Sequence, residues 1–146
     1  MIKRTACLSM NSFKPYCMHR SFVTTASVLL ALAVVLGAFG AHGLKDSLSP
    51  ASLSTYETGV RYHFYHAFAL LITGVCYERF NKKWLRYAGY CFVAGIILFS
   101  GSLYLLAVLM DTDSVGIKSI GIVTPFGGLF FIAGWIFLSL SPWRTA

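Results

Sequence analysis

Apolar residues run along this chain in four long blocks, parted by short polar and basic segments. No Asp, Glu, Lys or Arg interrupts Ser21–Ala41, Tyr62–Tyr77, Tyr87–Met110 or Ser119–Trp143. A helix needs about 20 apolar residues, within roughly 17–25, to cross the hydrocarbon of a bilayer. Three blocks meet that length alone. The second is shorter and carries His63 and His66, which places its outer turn at headgroup level or inside a bundle. The pattern predicts an all-α membrane protein: a four-transmembrane-helix bundle, with spans over about residues 21–41, 60–78, 87–110 and 120–141 in one domain, 21–143.

Punctuation between the blocks refines this. Ser49 is an N-cap residue and Pro50 suits the first helical position. Pro50–Gly59 therefore reads as a short amphipathic interfacial helix, bent at Gly59 and running into the second span. Glu57 and Arg61, at i and i+4, form an expected surface pair worth about 0.3–0.5 kcal/mol. In the second span, Val60, Phe64, Phe68, Leu71, Ile72 and Val75 make an apolar face. Gly59, Tyr62, His63, His66, Thr73 and Tyr77 make the other, which should point at the remaining spans.

The first block closes in GAFGAHG (37–43). A nucleotide loop would need GxxxxGK[ST], or GxGxxG between a strand and a helix; neither is present. Ala38 and Gly40 would suit a signal peptidase, but the apolar run exceeds the usual length and no soluble domain follows. Packing remains. Ala33, Gly37 and Ala41 recur every fourth residue, and small residues let membrane helices approach closely. Gly40, with Gly101 in FSGSLY and Gly127 and Gly128 in TPFGG, joins this set. Gly43 is expected as a left-handed C-cap, and Pro125 is placed in the first turns of the last span. No strand pattern is found.

Composition supports the same class. Hydrophobic residues are 57% of the 146 and charged residues 12%, against about 25% charged in ordinary globular domains. The net charge of +7 does not read as a nucleic-acid footprint, because the basic residues sit in short clusters between apolar blocks. Lys3, Arg4, Lys14, Arg20, Arg79, Lys82, Lys83, Arg86 and Arg144 fall on one side of a four-span arrangement; Lys45, Arg61 and Lys118 fall on the other. The positive-inside rule then makes both termini cytoplasmic. Residues 1–20 read as a cytoplasmic tail, either disordered or an upstream over-extension of the start. The cysteines, Cys7, Cys17, Cys76 and Cys91, form no CxxC and read as reduced and structural.

Depth decides where chemistry could gather. At 1.5 Å per residue, His63 and His66 lie roughly 2–6 Å inside the outer boundary and Thr124 about 8 Å. Tyr104 follows at about 9 Å and Ser102 at about 12–14 Å, while His42 sits at the boundary. These six predict an outward-facing polar pocket. No catalytic constellation accompanies them, neither GxSxG nor a supported Ser-His-Asp set, so no enzyme, no metal and no cofactor is expected.

Four segments also carry a resemblance. GAFGAHG, TGVRYHFYHAFALL, LFSGSLYLLAV and TPFGGLFFIAGW are similar, in order and spacing, to the small four-span YgdD/YwdK-type inner-membrane proteins, which have small transmembrane relatives in animal mitochondria. The likeness covers about Phe22–Leu140. Its pattern carries onto Gly37, Gly40, His42, Tyr62, His66, Ser100, Gly101, Tyr104, Thr124, Pro125 and Gly128. His63 departs from it, since Gln is frequent there. The resemblance implies a multi-pass inner-membrane location and little about activity, the family being of unknown function. Three functions are weighed: a structural or accessory membrane protein whose pocket takes lipid or a small ligand; a small oligomeric carrier or channel; and a metal or haem site on His42, His63 and His66. The first is preferred, with membrane lipids as partners and self-association as a further one.

Overall fold

The computed structural model of the chain describes residues 5–8, 16–110 and 117–142. Lys3, Arg4, Lys14 and Arg144, part of the charge reading above, lie outside these. Two short strands, β1 (Thr5–Leu8) and β2 (Tyr16–His19), pair antiparallel with Thr5 opposite His19. The hydrophobic pattern predicts no strand there. Four residues are too few for an alternation to be read, and main-chain pairing does not need one.

The rest is helical. α1 (Arg20–Phe39) continues into a π-helical turn, Gly40–Leu44. α2 spans Pro50–Val75, and α3 (Lys82–Gly95) passes through a second π turn, Ile96–Ser100, into α4 (Gly101–Met110). α5 is Ile117–Leu140. Local chemistry accounts for the starts. His19 Nδ1 accepts from the Phe22 amide at 3.3 Å and caps α1. Ser49 Oγ accepts from the Ser52 amide, with Pro50 in the first turn of α2. Asn81 Oδ1 accepts from the Lys83 amide at 3.0 Å and opens α3. Each occupies one of the orphan donors of a helix N-terminus.

Several expectations are corrected. Gly59 does not bend the second helix; α2 is continuous through it, and Gly59 is buried where the Tyr104 ring lies on it. Gly43 has no left-handed φ, because the chain continues as a π turn and the Phe39 ring lies against it. Pro125 is inside α5, since that helix already begins at Ile117. Glu57 and Arg61 form no ion pair; among the described residues the pair that does form is Lys82–Glu78, at 2.6 Å. Of the small-residue set, Ala33 and Gly40 are buried, Gly37 meets Val60 and Gly127 is tightly packed. Ala41 and Gly101 are instead exposed, with open space beside Gly101. The buried stripe of α1 passes from Gly37 to Gly40 rather than to Ala41, because the Tyr56 ring of α2 lies on Gly40.

α1 packs on α2, α2 on the α3–α4 helix, and α5 on that same helix. Aromatic rings seated on glycines set the approach of α3 and α5. Phe131 of α5 lies on Gly95, and Phe92 of α3 lies on Gly134, where a Cβ would stand 2.6 Å from the ring. At Gly127, α5 meets the main chain of Phe99 in the second π turn so closely that any Cβ would collide with backbone. Phe22, Leu70, Leu85, Phe92, Ile96 and Phe131 are among the buried residues of the core.

The outside is apolar. Val28, Val34, Val35, Ile97, Ile122 and Ile132 are all more than half exposed, up to 64% for Ile97 and Ile122. Soluble monomers rarely leave so large an apolar surface uncovered; such a surface suits contact with lipid. Three helices are long and apolar enough to cross a membrane: Arg20–Leu44, Lys82–Met110 and Gly121–Leu140. α2, at 26 residues, is long enough but less apolar. One end of the molecule collects the start of α1, the α2–α3 loop and the end of α5. Asn81 N donates to Ser141 O at 2.8 Å, Arg86 Nη2 donates to Tyr77 Oη at 3.2 Å, and Phe22 meets Tyr77 edge-on. Arg20, Arg79, Lys82, Lys83 and Arg86 therefore share that end.

Candidate functional site

Most of the polar stripe of α2 turns inward, as its spacing predicts: Gly59, His63, His66, Thr73 and Tyr77 are buried, while Tyr62 of the same stripe is exposed, and Phe68, Ile72 and Val75 of the opposite face are more than half exposed. What the stripe meets differs from residue to residue.

His66 is the most constrained. Its Nδ1 lies 2.8 Å from the Tyr62 carbonyl and its Nε2 lies 3.2 Å from Trp135 Nε1. A carbonyl can only accept and an indole N–H can only donate. The imidazole is therefore the neutral tautomer with its proton on Nδ1, and both nitrogens are engaged. Phe131 stacks on the ring at a centroid distance of 3.4 Å and an angle of 8°. This one side chain ties α2 to α5 by a hydrogen bond and a stack.

His63, one turn earlier, faces elsewhere. Its Nδ1 lies 3.2 Å from the Tyr104 hydroxyl of α4, and Tyr104 packs in turn against Tyr56 at 5.0 Å. The His63 ring is 2% exposed and its Nε2 has no hydrogen bond of acceptable geometry; the Leu29 carbonyl of α1 is the polar group in reach. Tyr56 donates to the Leu36 carbonyl at 3.0 Å, which also accepts from the Gly40 amide. A third pair joins α4 to α5: Ser102 Oγ and Thr124 Oγ1 at 2.8 Å, with Ser102 also donating to the Phe99 carbonyl.

The six residues of the predicted pocket are thus divided. His63 pairs with Tyr104, Ser102 pairs with Thr124, and His66 bonds to neither pair. His42 is exposed on the first π turn, and among the described residues no hydrogen bond joins it to the other five. Ser102 borders a depression of about 190 Å³ with Gly101, Leu105 and Val123.

His66 instead lines a larger groove, about 560 Å³, with Tyr62, Tyr65, Phe99, Gly128, Phe131, Ile132 and Trp135. Its floor is Phe99, carried on the second π turn. One wall is α2, the other α5, and Gly128 leaves a gap where a larger residue would fill it. That volume is in the range of small-molecule sites, yet the walls are nearly all aromatic or aliphatic. Reading by polarity alone passes over Tyr65, Phe99, Phe131, Ile132 and Trp135. Their signal is two ladders, Tyr62/His66 and Phe131/Trp135, each at i, i+4 on helices whose outer ends align.

A helical chain with three apolar spans, an apolar exterior and buried polar pairs between its helices is a membrane protein. Comparison with known sequences identifies it further. The family described as "Protein of unknown function (DUF423)" matches residues 36–128. UPF0382 membrane protein SAB0533 of Staphylococcus aureus (strain bovine RF122 / ET3-1) is 42% identical over 127 residues, 86% of this chain and 97% of that one. UPF0382 membrane protein SH2409 of Staphylococcus haemolyticus is 39% identical over 125 residues, 84% and 95% of the two chains. UPF0382 membrane protein YwdK of Bacillus subtilis is 40% identical over 118, 80% and 91%. The chain belongs to the UPF0382 (DUF423) family of membrane proteins, as its four sequence segments imply. No solved structure matches it.

Proposed function

We propose that this protein is a structural or accessory component of the cell (inner) membrane, crossing it four times with both termini in the cytoplasm. α2 is the fourth crossing. Its 26 residues reach about 39 Å at 1.5 Å each, more than the hydrocarbon thickness. Its His63 and His66 are shielded from lipid by neighbouring helices. The orientation follows from the end where Arg20, Arg79, Lys82, Lys83 and Arg86 gather.

One observation carries the functional reading. Most polar side chains inside the bundle bond to one another or to main chain, as with His63–Tyr104, Ser102–Thr124 and His66 between Tyr62 and Trp135, while His63 Nε2 and Ser100 Oγ are left without a hydrogen bond. A carrier or channel needs polar groups free to replace a solute's hydration; here they join helices, each bond contributing about 0.6 kcal/mol. A haem or metal site needs imidazole nitrogens to spare and further ligands beside them; His66 has none to spare, and among the described residues no three His, Cys, Asp or Glu side chains gather around the unbonded Nε2 of His63. The opening that remains, between α2 and α5, is apolar and suits membrane lipid.

Proteoliposomes loaded with the pH dye pyranine and the anionic dye calcein test this reading. Proton and calcein leakage should equal that of protein-free vesicles. Protein-dependent leakage of either would overturn it in favour of a pore.

A further inference from the structure

We infer that two copies of this chain pair along the outward face of α2, with each Arg61 bound by the partner's Glu57. This goes beyond the accessory reading, and it uses neither the buried polar pairs nor the groove lined by His66.

The face carries a seam pattern. Glu57, Arg61, Phe64, Phe68, Leu71 and Val75 follow one another at alternating spacings of four and three. That is the heptad period along which two helices pack with a slight left-handed crossing. None of these residues is buried; Glu57 and Arg61 are exposed, and Phe68 and Val75 are more than half exposed. Phe64 stacks on Phe68 at a centroid distance of 6.4 Å, so the middle of the seam is already an ordered aromatic ridge. From Glu57 to Val75 the seam runs roughly 27 Å along α2, close to the hydrocarbon thickness.

Charge selects the occupant. Glu57 and Arg61 line one depression of about 330 Å³, with Gly37, Gly40 and Ala41 of α1 as its other wall. The two opposite charges form no ion pair with each other. Arg61 stands level with the last turns of the charge-free block of α1, at the edge of the second span, where a guanidinium without a partner is costly. A patch that holds one acid and one base a turn apart is complementary to itself. Two copies inserted in the same sense bring their α2 helices together in parallel, about a two-fold axis along the membrane normal. Each Arg61, directed outward, then reaches the partner's Glu57 across one turn, roughly 6 Å along the axis. The four charges cancel. The small α1 residues leave room for the partner's side chains, and a polar layer in an otherwise apolar seam fixes its register.

Native mass spectrometry of the full chain in mild detergent tests this, with two populations told apart by 15N labelling. The wild type should be a dimer. Glu57→Lys and Arg61→Glu each leave two like charges on the seam, and each should raise the dimer dissociation constant about tenfold or more. Mixed, the two variants should form a heterodimer as tight as the wild-type dimer, because a doubly positive face then meets a doubly negative one. That recovery also shows that both variants fold. If either does not fold, Glu57→Gln and Arg61→Gln replace them, and each should weaken the dimer. A wild-type monomer would overturn the assignment, as would dimers that the single substitutions leave unchanged. A mixture that stays monomeric would also overturn it, since the charges would then pair within one copy. So would a monomer holding a phospholipid that Arg61→Gln releases, which would give the depression to lipid. Each of those results leaves the dye-leakage test standing, so failure of the dimer and failure of the accessory reading are distinguishable.

Discussion

At the scale of single residues, the bundle depends on contacts that composition conceals. Glycines look alike in the sequence, yet Gly127 lies against the Phe99 main chain while Gly101 faces open space. Gly127→Ala forces two backbones apart and should cost at least the 1–3 kcal/mol typical of overpacking. Gly101→Ala, helical and uncrowded, should gain about 0.5 kcal/mol by removing backbone freedom. Thermal unfolding in detergent measures both, and equal effects would contradict the placement of α5 on the second π turn. The histidines separate in the same way. His66→Leu strands the Trp135 N–H and loses the Phe131 stack, at about 1–3 kcal/mol for the unsatisfied group. His63→Gln still reaches Tyr104 and should cost less. Losses of the same size would mean that the two rings share one environment. The sequence indicates that His63 and His66 face inward, because polar groups on a membrane helix rarely face lipid. It does not indicate their partners, since these come from residues 41 and 69 positions away along the chain.

At the scale of elements, the starts were legible and the interiors less so. Ser49-Pro50 is visible as a cap, and α2 begins there. The two π turns were not, because a wider turn leaves no mark on hydropathy; nor did the pattern show that the Tyr56 ring would bury Gly40 and leave Ala41 exposed. The cap of α1 was missed as well, histidine being an uncommon N-cap. Burial, and then the nearby Arg86 charge, hold His19 below its ordinary value near 6.5, against a smaller opposing contribution from backbone hydrogen bonding. Its ring is packed between Phe22 and Tyr77. The folded protein thus favours neutral His19, whose Nδ1 lone pair takes the Phe22 amide. The unfolded chain binds a proton first as pH falls past about 6.5. The stabilisation is accordingly complete above that pH and is lost as pH drops through the lower folded value. His19→Asn keeps a cap, worth about 1 kcal/mol, without titrating. Between pH 7.5 and 5 the wild type should lose more of its unfolding midpoint than His19→Asn; parallel curves would exclude the His19 cap as the cause.

At the scale of the whole molecule, four hydrophobic blocks gave four long helices, and among the described residues Arg20, Arg79, Lys82, Lys83 and Arg86, of the basic set that predicts orientation, lie together at one end. Hydropathy alone recovers three spans, because α2 carries Glu57, Arg61 and two histidines; its place in the bundle had to come from the inward turn of its polar face. The single polar pocket was not recovered. Azimuth could not be counted from the sequence, nor could depth in α2, which begins at Pro50 and carries His66 inward to Trp135; azimuth is what separates Ser102–Thr124 from His63–Tyr104 and leaves His42 outside both. On the proposed four crossings, a periplasmic reporter fused after Ala146 should be inactive and one inserted after Asp46 active; the reverse would contradict the proposed orientation. The central claim is that the buried polar groups hold helices together rather than meet a ligand, and His66 tests it most directly. In protein labelled with 15N-histidine and reconstituted in bicelles at neutral pH, the His66 imidazole should show a protonated Nδ1 and an unprotonated, hydrogen-bonded Nε2, unchanged by added zinc. A proton on Nε2, or a zinc-induced shift of that nitrogen, would contradict it.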